Sequence, residues 1–283
     1  MKRVLITGKN SYVGNSFADW VKDDSDINVE KISLRNGSWR KKDLSEFDVV
    51  LHVAGIAHQK ETKENKDLYY QINRDLTIEL ANKAKAEGVS HFVFLSSMSV
   101  YGIDTGVIDE NTPLKPNTNY GKSKLEAEKA ISTLESSSFN IAILRPPMIY
   151  GKGCKGNYIR LSKLARKSFI FPNIPNKRSM IYIDNLSMLI KEILIAEFYG
   201  LILLQNKEYV STSEMVKLIA KEADKKIIMT KVFNPFVNVL ISKSKIVKKI
   251  FGDLIYTDNL VKQKEFNKIG LIDFKKSIRL TEE

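Results

Sequence analysis

The chain has almost none of the residues that would cross-link it or anchor it. One of its 283 residues is a cysteine, Cys154, which excludes an internal disulfide and favours a reducing, cytoplasmic compartment. No partner for a nucleophile is apparent near this thiol, so we expect it to be inert. No apolar run approaches the ~20 residues that span a bilayer, and a strand pattern stands at the very start, so we expect neither a membrane span nor a signal peptide. No metal site is predicted.

Acidic residues are also in deficit, with 33 Asp and Glu against 45 Lys and Arg, which gives a net charge of +12. The lysines are spread through helical patterns instead of clustering with aromatic residues, so nucleic-acid binding is not expected. Attraction of anionic substrates such as nucleotide diphosphates is a second explanation of the charge. Peripheral contact with an anionic membrane is a third, and a solvated lysine-rich surface is the simplest.

Near the C-terminus an apolar stripe follows Asn234-Pro235, a helix cap and a proline that suits a first helical turn. The stripe consists of Phe236, Val239, Leu240, Val247, Ile250 and Phe251. The lysines beside it are Lys243, Lys245, Lys248 and Lys249. Helical spacing of this kind is more typical of a protein core than of a membrane anchor, so we predict the core of a small lobe.

The first half alternates short apolar runs with helical patterns, which predicts a doubly wound parallel sheet. Strand patterns cover Val29–Leu34, Asp48–Val53, Phe92–Ser96 and Ile141–Leu144. Helical patterns cover Asp67–Glu87, Asn119–Leu134 and Leu186–Phe198. The pattern changes after Gly151. We therefore predict an α/β protein with a Rossmann core (residues 1–150 and about 180–205) and a smaller α/β substrate-binding lobe (about 151–179 and 206–283).

The start of the chain predicts a nucleotide site. The apolar run Val4-Leu5-Ile6 leads into Thr7-Gly8-Lys9-Asn10-Ser11-Tyr12-Val13-Gly14 and then into a helical pattern. A strand, a glycine turn and a helix N-terminus can hold a dinucleotide pyrophosphate with backbone N–H groups and the helix dipole. Ser11 stands where a glycine is usual, and its side chain narrows the space in which a phosphate can approach the backbone. A generic strand-turn-helix is the alternative.

Tyr120 and Lys124 are spaced four residues apart at the start of a predicted helix, after Ser97 at a strand end. A free tyrosine has a pKa of about 10, and an ammonium one turn away lowers this pKa by stabilising the phenolate. A hydroxyl from Ser97 can hold the same substrate oxygen. The three residues suit proton transfer at a sugar or alcohol oxygen, although Ser97 equally suits a turn or a cap.

Together these motifs resemble the extended short-chain dehydrogenase/reductase family, and within it the nucleotide-sugar epimerases, dehydratases and 4-keto-reductases. The resemblance covers nearly the whole chain. Its segments are Thr7 to Gly14, Val53-Ala54-Gly55, Asn73, Ser96 to Gly102, Tyr120 to Lys124, Leu144-Arg145-Pro146 and Arg178 to Asp184.

The resemblance implies a role for each segment. Tyr120 would be the acid-base residue, Lys124 its activator and a ribose ligand, and Ser97 the second hydroxyl. The expected cofactor-binding residues are Gly8, Ser11, Tyr12, Val13, Gly14, Asp43 and Leu44 (at the adenine), Val53, Ala54, Gly55, Pro146, Tyr120 and Lys124. The expected substrate-binding residues are Ser99, Asn157 and Arg178, whose guanidinium would hold the nucleotide diphosphate. His58 is a further candidate, and an ordinary loop residue is the alternative for both Asn157 and His58. Asn73 is expected to be structural.

The end of the second strand governs the choice of cofactor. NAD-binding relatives usually place an acid there to accept the hydrogen bond of the ribose 2′-hydroxyl. Here Ile32-Ser33-Leu34 is followed by Arg35, and Lys9 adds a second cation. A guanidinium can pair with a 2′-phosphate, so NADP(H) is the expected cofactor, with NAD(H) possible. A solvated Arg35 is the alternative.

The resemblance further implies hydride transfer at a sugar carbon. Dehydratases carry Thr-Asp-Glu where this chain has Ser97-Met98-Ser99, so elimination is not expected. Epimerases usually have an asparagine at the position of Met148. We therefore expect NADPH-dependent reduction of the C4 ketone of a UDP-linked 6-deoxy-N-acetylhexosamine for bacterial surface (capsule) polysaccharide synthesis.

Two other functions stay open. A UDP-hexose or N-acetylhexosamine 4-epimerase would keep NAD tightly bound, and a non-catalytic NADP-sensing regulator would use the same fold. The resemblance also implies a homodimer in which helices Asp67–Glu87 and Asn119–Leu134 form a four-helix bundle. Leu68, Ile72, Leu125 and Ile131 are candidates for that contact or for ordinary core.

Overall fold

The structure, a computed structural model, describes residues 1–57, 59, 61–257 and 270–283. The strands, in chain order, are β1 Lys2–Thr7, β2 Ile27–Ile32, β3 Val49–His52, β4 His91–Leu95, β5 Gly106–Ile108, β6 Asn140–Arg145, β7 Met148–Tyr150, β8 Ile170–Pro172, β9 Met180–Tyr182, β10 Gly200–Leu203, β11 Ile228–Thr230 and β12 Leu254–Tyr256. The α-helices are α1 Tyr12–Trp20, α2 Lys66–Tyr70, α3 Leu76–Ala86, α4 Asn119–Ser132, α5 Asn157–Lys167, α6 Ile183–Ile195, α7 Thr212–Glu222, α8 Asn234–Lys243, α9 Lys245–Phe251 and α10 Phe274–Glu282. Short 3-10 turns cover Ser38–Lys41 and Met98–Tyr101.

Six parallel strands form the main sheet in the order β2-β1-β3-β4-β6-β10. Lys2 of β1 pairs with Ile27 of β2, and Val4 pairs with Val49 of β3. The strand order reverses between β1 and β3, which opens a crevice at the carboxyl ends of these two strands. The predicted doubly wound α/β fold is confirmed, and its switch point adjoins the glycine loop.

Apolar side chains alternate between the two faces of the sheet because successive strand residues point in opposite directions. Val4 and Ile6 of β1 pack with α1 and α6 in one hydrophobic cluster. Leu5 packs with Leu80 of α3 and Ile131 of α4 in a second cluster. Both faces are therefore covered by helices, which explains the continuous apolar runs of the strands.

The remaining strands form three small parallel pairs, β7 with β9, β8 with β11 and β5 with β12. Helices α5, α7, α8, α9 and α10 lie in the same part of the chain. The cluster that covers β1 continues through Tyr150, Phe171 and Phe251 into this smaller part. Because one core runs through both parts, the predicted domain boundaries stay a prediction.

The predicted long helix Asp67–Glu87 is present, and it contains a π-helical turn. Helix α2 is followed by a π-helical turn over Gln71–Asp75, and α3 begins only at Leu76. π-Helical turns are frequent at functional sites. Here the π-helical turn contains Asn73, whose side chain is fully buried.

The apolar stripe near the C-terminus is only partly core, so that prediction is wrong for its N-terminal half. Phe236 is 67% exposed and Val239 is 53% exposed, whereas Phe251 is buried. In α8 the buried residue is Val237, on the opposite side of the helix. Within the described residues no helix is long and apolar enough to cross a membrane.

The residues proposed for a dimer contact divide into two kinds. Leu125 and Ile131 are buried in the core of a single chain, so they cannot form an intermolecular surface. Leu68 is exposed and Ile72 is half-buried, so these two stay candidates. Cys154 is buried, and burial raises the pKa of its thiol, as expected for an unreactive cysteine.

Two buried histidines predict acid sensitivity. Burial lowers the pKa of His52 to about 3 and that of His91 to about 4. Above the unfolded pKa of about 6.5 both forms of the protein carry neutral histidines, and below it only the unfolded chain takes up the two protons. We expect the free energy of unfolding to fall by roughly 2–3 kcal/mol per pH unit below pH ~6.

Urea titrations at about pH 7 and about pH 5 measure this loss. The variant His91→Gln should lose about half of the pH dependence, because one of the two protons is removed. An equal free energy of unfolding at both pH values would contradict the assignment.

Candidate active site

The glycine loop joins β1 to α1 and leaves the first turn of that helix available. Gly8 has φ +87°, a left-handed conformation that favours glycine. The Ser11 hydroxyl accepts a hydrogen bond from the Gly14 N–H at 3.2 Å, so the serine at the usual glycine position caps the helix. The first-turn N–H groups of Tyr12 and Val13 have no intrahelical partner, as a phosphate site requires.

Gly14 sets how closely α1 approaches the sheet. A methyl group at this position would lie 2.9 Å from Ile6 Cγ2 and 3.0 Å from Val53 Cγ2. Contacts this short would displace the helix. The absence of a side chain therefore places the helix N-terminus directly over the β1 and β3 ends.

The end of β2 lies beside the glycine loop and carries cations. The N–H groups of Gly8 and Lys9 donate to the Ile32 carbonyl at 2.9 and 3.0 Å. The chain then runs Ser33-Leu34-Arg35-Asn36, without a carboxylate. Lys9 and Arg35 are both exposed, and no carboxylate of the described residues lies within 4 Å of either cation.

Asp43 and Leu44 behave differently from each other. The exposed Asp43 carboxylate accepts hydrogen bonds from the Ser45 N–H and hydroxyl, and these lower its pKa. Leu44 is fully buried, and its N–H donates to Glu87 Oε2 at 2.7 Å. For the buried Leu44, only its position in the chain favours a contact with the adenine. The adenine contact of Asp43 and Leu44 stays a prediction.

The end of β3 is held by Asn73. Its Oδ1 accepts from the Ile56 N–H at 2.9 Å, and its Nδ2 donates to the Ile56 carbonyl at 3.1 Å and to Ser123 Oγ at 3.2 Å. These bonds tie the chain after Val53-Ala54-Gly55 to α4. The predicted structural role of Asn73 is the one that the structure shows.

Three serines follow β4, and each has a different partner. Ser96 is buried and donates to the Glu128 carboxylate. Ser97 caps the 3-10 turn by accepting from the Ser99 N–H at 3.1 Å, and its hydroxyl also hydrogen-bonds with the Tyr120 side chain. The exposed Ser99 hydroxyl lies 3.1 Å from Ser97 Oγ. Ser97 is therefore both a cap and the serine that contacts the tyrosine.

Burial raises the pKa of the Tyr120 phenol, and the hydrogen bond with Ser97 offsets part of the increase. The predicted lowering of this pKa by Lys124 is wrong for this structure, because desolvation outweighs other influences. Tyr120 is consequently protonated at neutral pH, which makes it a proton donor.

Lys124 lies one helical turn after Tyr120 and is 4% exposed. Its Nζ donates to the Leu95 carbonyl at 2.8 Å and lies 4.5 Å from the centre of the Phe94 ring. Burial lowers the pKa of this ammonium to about 7, although the Glu128 carboxylate raises it in part. Lys124 is therefore a desolvated cation whose charge is sensitive to pH near neutrality.

Sequence reasoning missed the carboxylate that fixes the start of α4. Glu61 Oε2 accepts from the Asn119 N–H at 3.0 Å, and Glu61 Oε1 accepts from the Tyr120 N–H at 3.1 Å. An acid at a helix N-terminus satisfies orphan donors and the helix dipole. No local sequence pattern predicts a helix cap from a residue 58 positions away.

A second missed feature is a buried polar chain under the site. His52 Nδ1 lies 2.6 Å from Thr7 Oγ1, and His52 Nε2 lies 2.8 Å from Thr77 Oγ1. Thr77 in turn donates to the Asn73 carbonyl at 2.9 Å. The His52 ring also stacks on Phe94, whose ring carries Lys124. This chain links the ends of β1 and β3 to the π-helical turn.

Glu128 and Arg145 form a buried ion pair behind the serines. Arg145 donates to Glu128 through Nε at 3.0 Å and through Nη2 at 2.6 Å, and its Nη1 donates to Tyr101 at 3.0 Å. The Pro146 carbonyl accepts from the Met98 N–H at 3.0 Å. These contacts attach α4 and the Ser97 segment to the end of β6.

The expected substrate residues are placed unequally. Arg178 is partly buried, its Nη1 donates to the Gly252 carbonyl at 2.9 Å, and burial lowers its pKa. No carboxylate of the described residues lies within 4 Å of its guanidinium, so it retains donors for an anion. Asn157 is exposed at the start of α5. His58 lies outside the described residues.

The residues of this crevice fit a nicotinamide dinucleotide. A methyl group at Gly55 would lie 2.9 Å from Asn73 Oδ1 and 3.4 Å from Lys124 Nζ, so glycine keeps the space beside the lysine open. The α1 N-terminus offers donors for the pyrophosphate, and Tyr120 and Lys124 lie on α4. When bound, such a group supplies or accepts a hydride.

Comparison with known proteins agrees with this geometry. The profile of the NAD dependent epimerase/dehydratase family matches residues 4–189. The chain belongs to this family. It is 32% identical over 255 residues to the UDP-glucose 4-epimerase of Vibrio cholerae, which covers 79% of this chain and 76% of that protein.

Two further relatives extend the comparison. The N-acetyl-alpha-D-glucosaminyl-diphospho-ditrans,octacis-undecaprenol 4-epimerase of Escherichia coli O157:H7 is 28% identical over 244 residues, which covers 79% of this chain and 73% of that protein. The structure of UDP-glucuronic acid 4-epimerase from Bacillus cereus in complex with NAD has a TM-score of 0.76 at 18% identity, and the match covers 99% of this chain and 95% of that chain. The family is thus an enzyme family that depends on a nicotinamide dinucleotide, and the fold extends over the whole length.

Proposed function

We propose that the protein reduces the C4 ketone of a UDP-linked 6-deoxy-N-acetylhexosamine with NADPH, in the synthesis of a surface polysaccharide. The observation that carries this proposal is the end of β2, where Lys9 and Arg35 stand without a carboxylate. Two exposed cations favour a 2′-phosphate over a free 2′-hydroxyl. An NADPH-dependent enzyme releases its oxidised cofactor after each turnover, which suits a net reduction.

The protonated state of Tyr120 supports the same direction of reaction. A reductase needs an acid at the ketone oxygen, and burial keeps this phenol protonated. Tyr120 donates its proton to the C4 oxygen while the carbon receives a hydride, and solvent then returns a proton to the phenolate. The Ser97 hydroxyl orients the same oxygen, Lys124 stabilises the transient phenolate, and Arg178 pairs with the diphosphate.

The relatives favour a second candidate, a UDP-sugar 4-epimerase. Both curated relatives described above are named as 4-epimerases. An epimerase of this kind would retain NAD. It would remove a hydride from the sugar and return it to the same sugar before the product is released. The protein would then act on UDP-N-acetylhexosamines without added cofactor.

Incubation with NADPH and a UDP-4-keto-6-deoxy-N-acetylhexosamine separates the two candidates. We expect NADPH absorbance to fall in proportion to the 4-hydroxy sugar formed, and dialysed protein to carry no cofactor. Protein that retains NAD through dialysis and interconverts UDP-N-acetylhexosamines without NADPH would instead establish the epimerase.

Cofactor choice is tested by Arg35→Ser. Loss of the guanidinium should weaken NADPH binding roughly 10- to 100-fold, because a charge-assisted pair with the 2′-phosphate is removed. NADH binding should change little. Fluorescence titration with both cofactors measures the ratio of the two dissociation constants, and Lys22→Ser, two residues after the end of α1, is the matched loss of charge. An unchanged ratio of the NADPH and NADH dissociation constants would refute the role of Arg35.

A further inference from the structure

A group of apolar side chains on the smaller part of the protein is uncovered. Val232 is 80% exposed and Ile246 is 72% exposed, in addition to the exposed Phe236 and Val239 of α8. The opposite side of α8 is already buried through Val237. Helix α8 therefore has apolar residues on both sides, but the rest of the protein covers only one side. The free side suits an apolar environment.

The uncovered residues lie on adjoining elements. Ile170 of β8 pairs in register with Ile228 of β11, and both are exposed. β11 leads directly into the residues before α8, and Asn234 Nδ2 of α8 donates to the Asn173 carbonyl just after β8 at 2.9 Å. We call this surface the basic apolar face. Its exposed apolar residues are Phe169, Ile170, Ile228, Val232, Phe233, Phe236, Val239 and Ile246.

The segment that carries α8 and α9 is rich in lysine. Residues 225–252 contain seven lysines and neither Asp nor Glu. The lysines are Lys225, Lys226, Lys231, Lys243, Lys245, Lys248 and Lys249. Among the described residues, the Lys249 pair with Asp104 at 3.5 Å is the one ion pair that involves this set. Most of this positive charge is therefore available to a partner.

We propose that the basic apolar face docks the protein on an anionic membrane surface. Exposed aliphatic and phenyl groups can enter the boundary between headgroups and acyl chains, while the lysines pair with anionic headgroups. A second copy of the chain would bring its own lysines against these lysines, so self-association through this face is opposed by charge. A nucleic acid would satisfy the lysines but would give the valine and isoleucine side chains no apolar partner.

The position of the face connects it to the candidate site. Arg178 donates to the carbonyl of Gly252, which directly follows α9. Docking through α8 and α9 would therefore hold Arg178, the candidate diphosphate ligand, close to the bilayer. Membrane binding itself does not depend on the proposed reaction.

Vesicle flotation tests the proposal with the full chain. Vesicles contain either phosphatidylcholine alone or equal amounts of phosphatidylcholine and phosphatidylglycerol. We expect binding to the anionic vesicles to be at least ~10-fold stronger than to the neutral ones. Raising the salt concentration should weaken this binding, because it screens the lysines.

Two sets of variants separate the apolar and the charged contributions. Phe236→Ser with Val239→Ser and Ile246→Ser should lower binding to anionic vesicles by ~10-fold or more even at low salt. Lys243→Gln with Lys245→Gln should lower it by ~10-fold and reduce its dependence on salt. All these side chains are exposed, so NADPH affinity and thermal unfolding should stay unchanged.

The matched control is Tyr199→Ser with Leu201→Ser, two exposed apolar residues at the edge strand β10, which should leave vesicle binding unchanged. Equal binding to neutral and anionic vesicles, or none to either, would overturn the proposal. Concentration-dependent dimerisation that the triple serine variant abolishes, without vesicle binding, would assign the face to a second copy instead.

Discussion

Tyr120→Phe is expected to lower kcat by about 10²- to 10⁴-fold while the protein stays folded and binds NADPH with an affinity within a few-fold of wild type. In the proposed reaction the Tyr120 phenol donates the proton to the ketone oxygen, and phenylalanine keeps the ring but lacks the hydroxyl. The Tyr120 hydroxyl contacts Ser97, so the substitution removes one hydrogen bond and lowers the free energy of unfolding by roughly 1 kcal/mol. Steady-state rates and a cofactor titration distinguish these two effects.

The pH profile adds a readout that a structural role would not move. A donor must be protonated, and burial raises the Tyr120 pKa above its ordinary value of 10.0. We expect kcat to fall above about pH 7, as Lys124 loses the charge that stabilises the phenolate, and to fall again only above 10.0, as Tyr120 ionises. Tyr70→Phe, on the neighbouring helix α2, is the matched control and should keep the full rate. A Tyr120→Phe variant with wild-type kcat would exclude the tyrosine from the reaction.

Lys124→Met is expected to slow turnover strongly and, at neutral pH, to stabilise the protein. Methionine has nearly the same length but removes a cation that burial disfavours. The lost hydrogen bond to the Leu95 carbonyl opposes this gain, so we expect a net increase of about 1–3 kcal/mol in the free energy of unfolding. The rate should fall by about 10²-fold or more, because the phenolate loses its stabilising charge.

The sign of the pH dependence follows from the lowered pKa. The folded lysine has a pKa of about 7, below the ordinary value of 10.5, so the wild-type protein loses stability as the pH falls from 10.5 towards 7. The stability advantage of the variant should therefore widen over this window and level off below it. Lys122→Met, an exposed residue on the same helix, should show neither effect. A Lys124→Met protein less stable than wild type throughout would contradict the cost assigned to this buried cation.

Local patterns predicted the parts of the site that lie within one segment. The run from Val4 to Gly14 encodes a strand, a turn and a helix start, and each depends on neighbours in sequence. Ser97 was predicted because it lies at a strand end. Tyr120 and Lys124 were predicted together because a spacing of four residues places them one helical turn apart. The role of Ser11 as a helix cap was not predicted, although its spacing of three residues from Gly14 is the spacing of a cap.

The missing parts depend on contacts between distant segments. Glu61 reaches the start of α4, and His52 joins Thr7 to Thr77, but no spacing in the chain records these pairs. Helical periodicity shows that α8 has apolar positions without showing which side the rest of the protein covers. The Tyr120 pKa was predicted from one neighbour, whereas desolvation depends on everything packed around the phenol.

The most direct test follows the hydride itself. The protein is given a UDP-4-keto-6-deoxy-N-acetylhexosamine and NADPH that carries deuterium in place of the transferable hydrogen of its nicotinamide. Mass spectrometry of the sugar product should show one deuterium at C4 in every molecule, and the Tyr120→Phe variant should form the same product far more slowly. A 4-hydroxy sugar without deuterium, or substrate returned unreduced while the protein keeps its own bound NAD, would contradict the account.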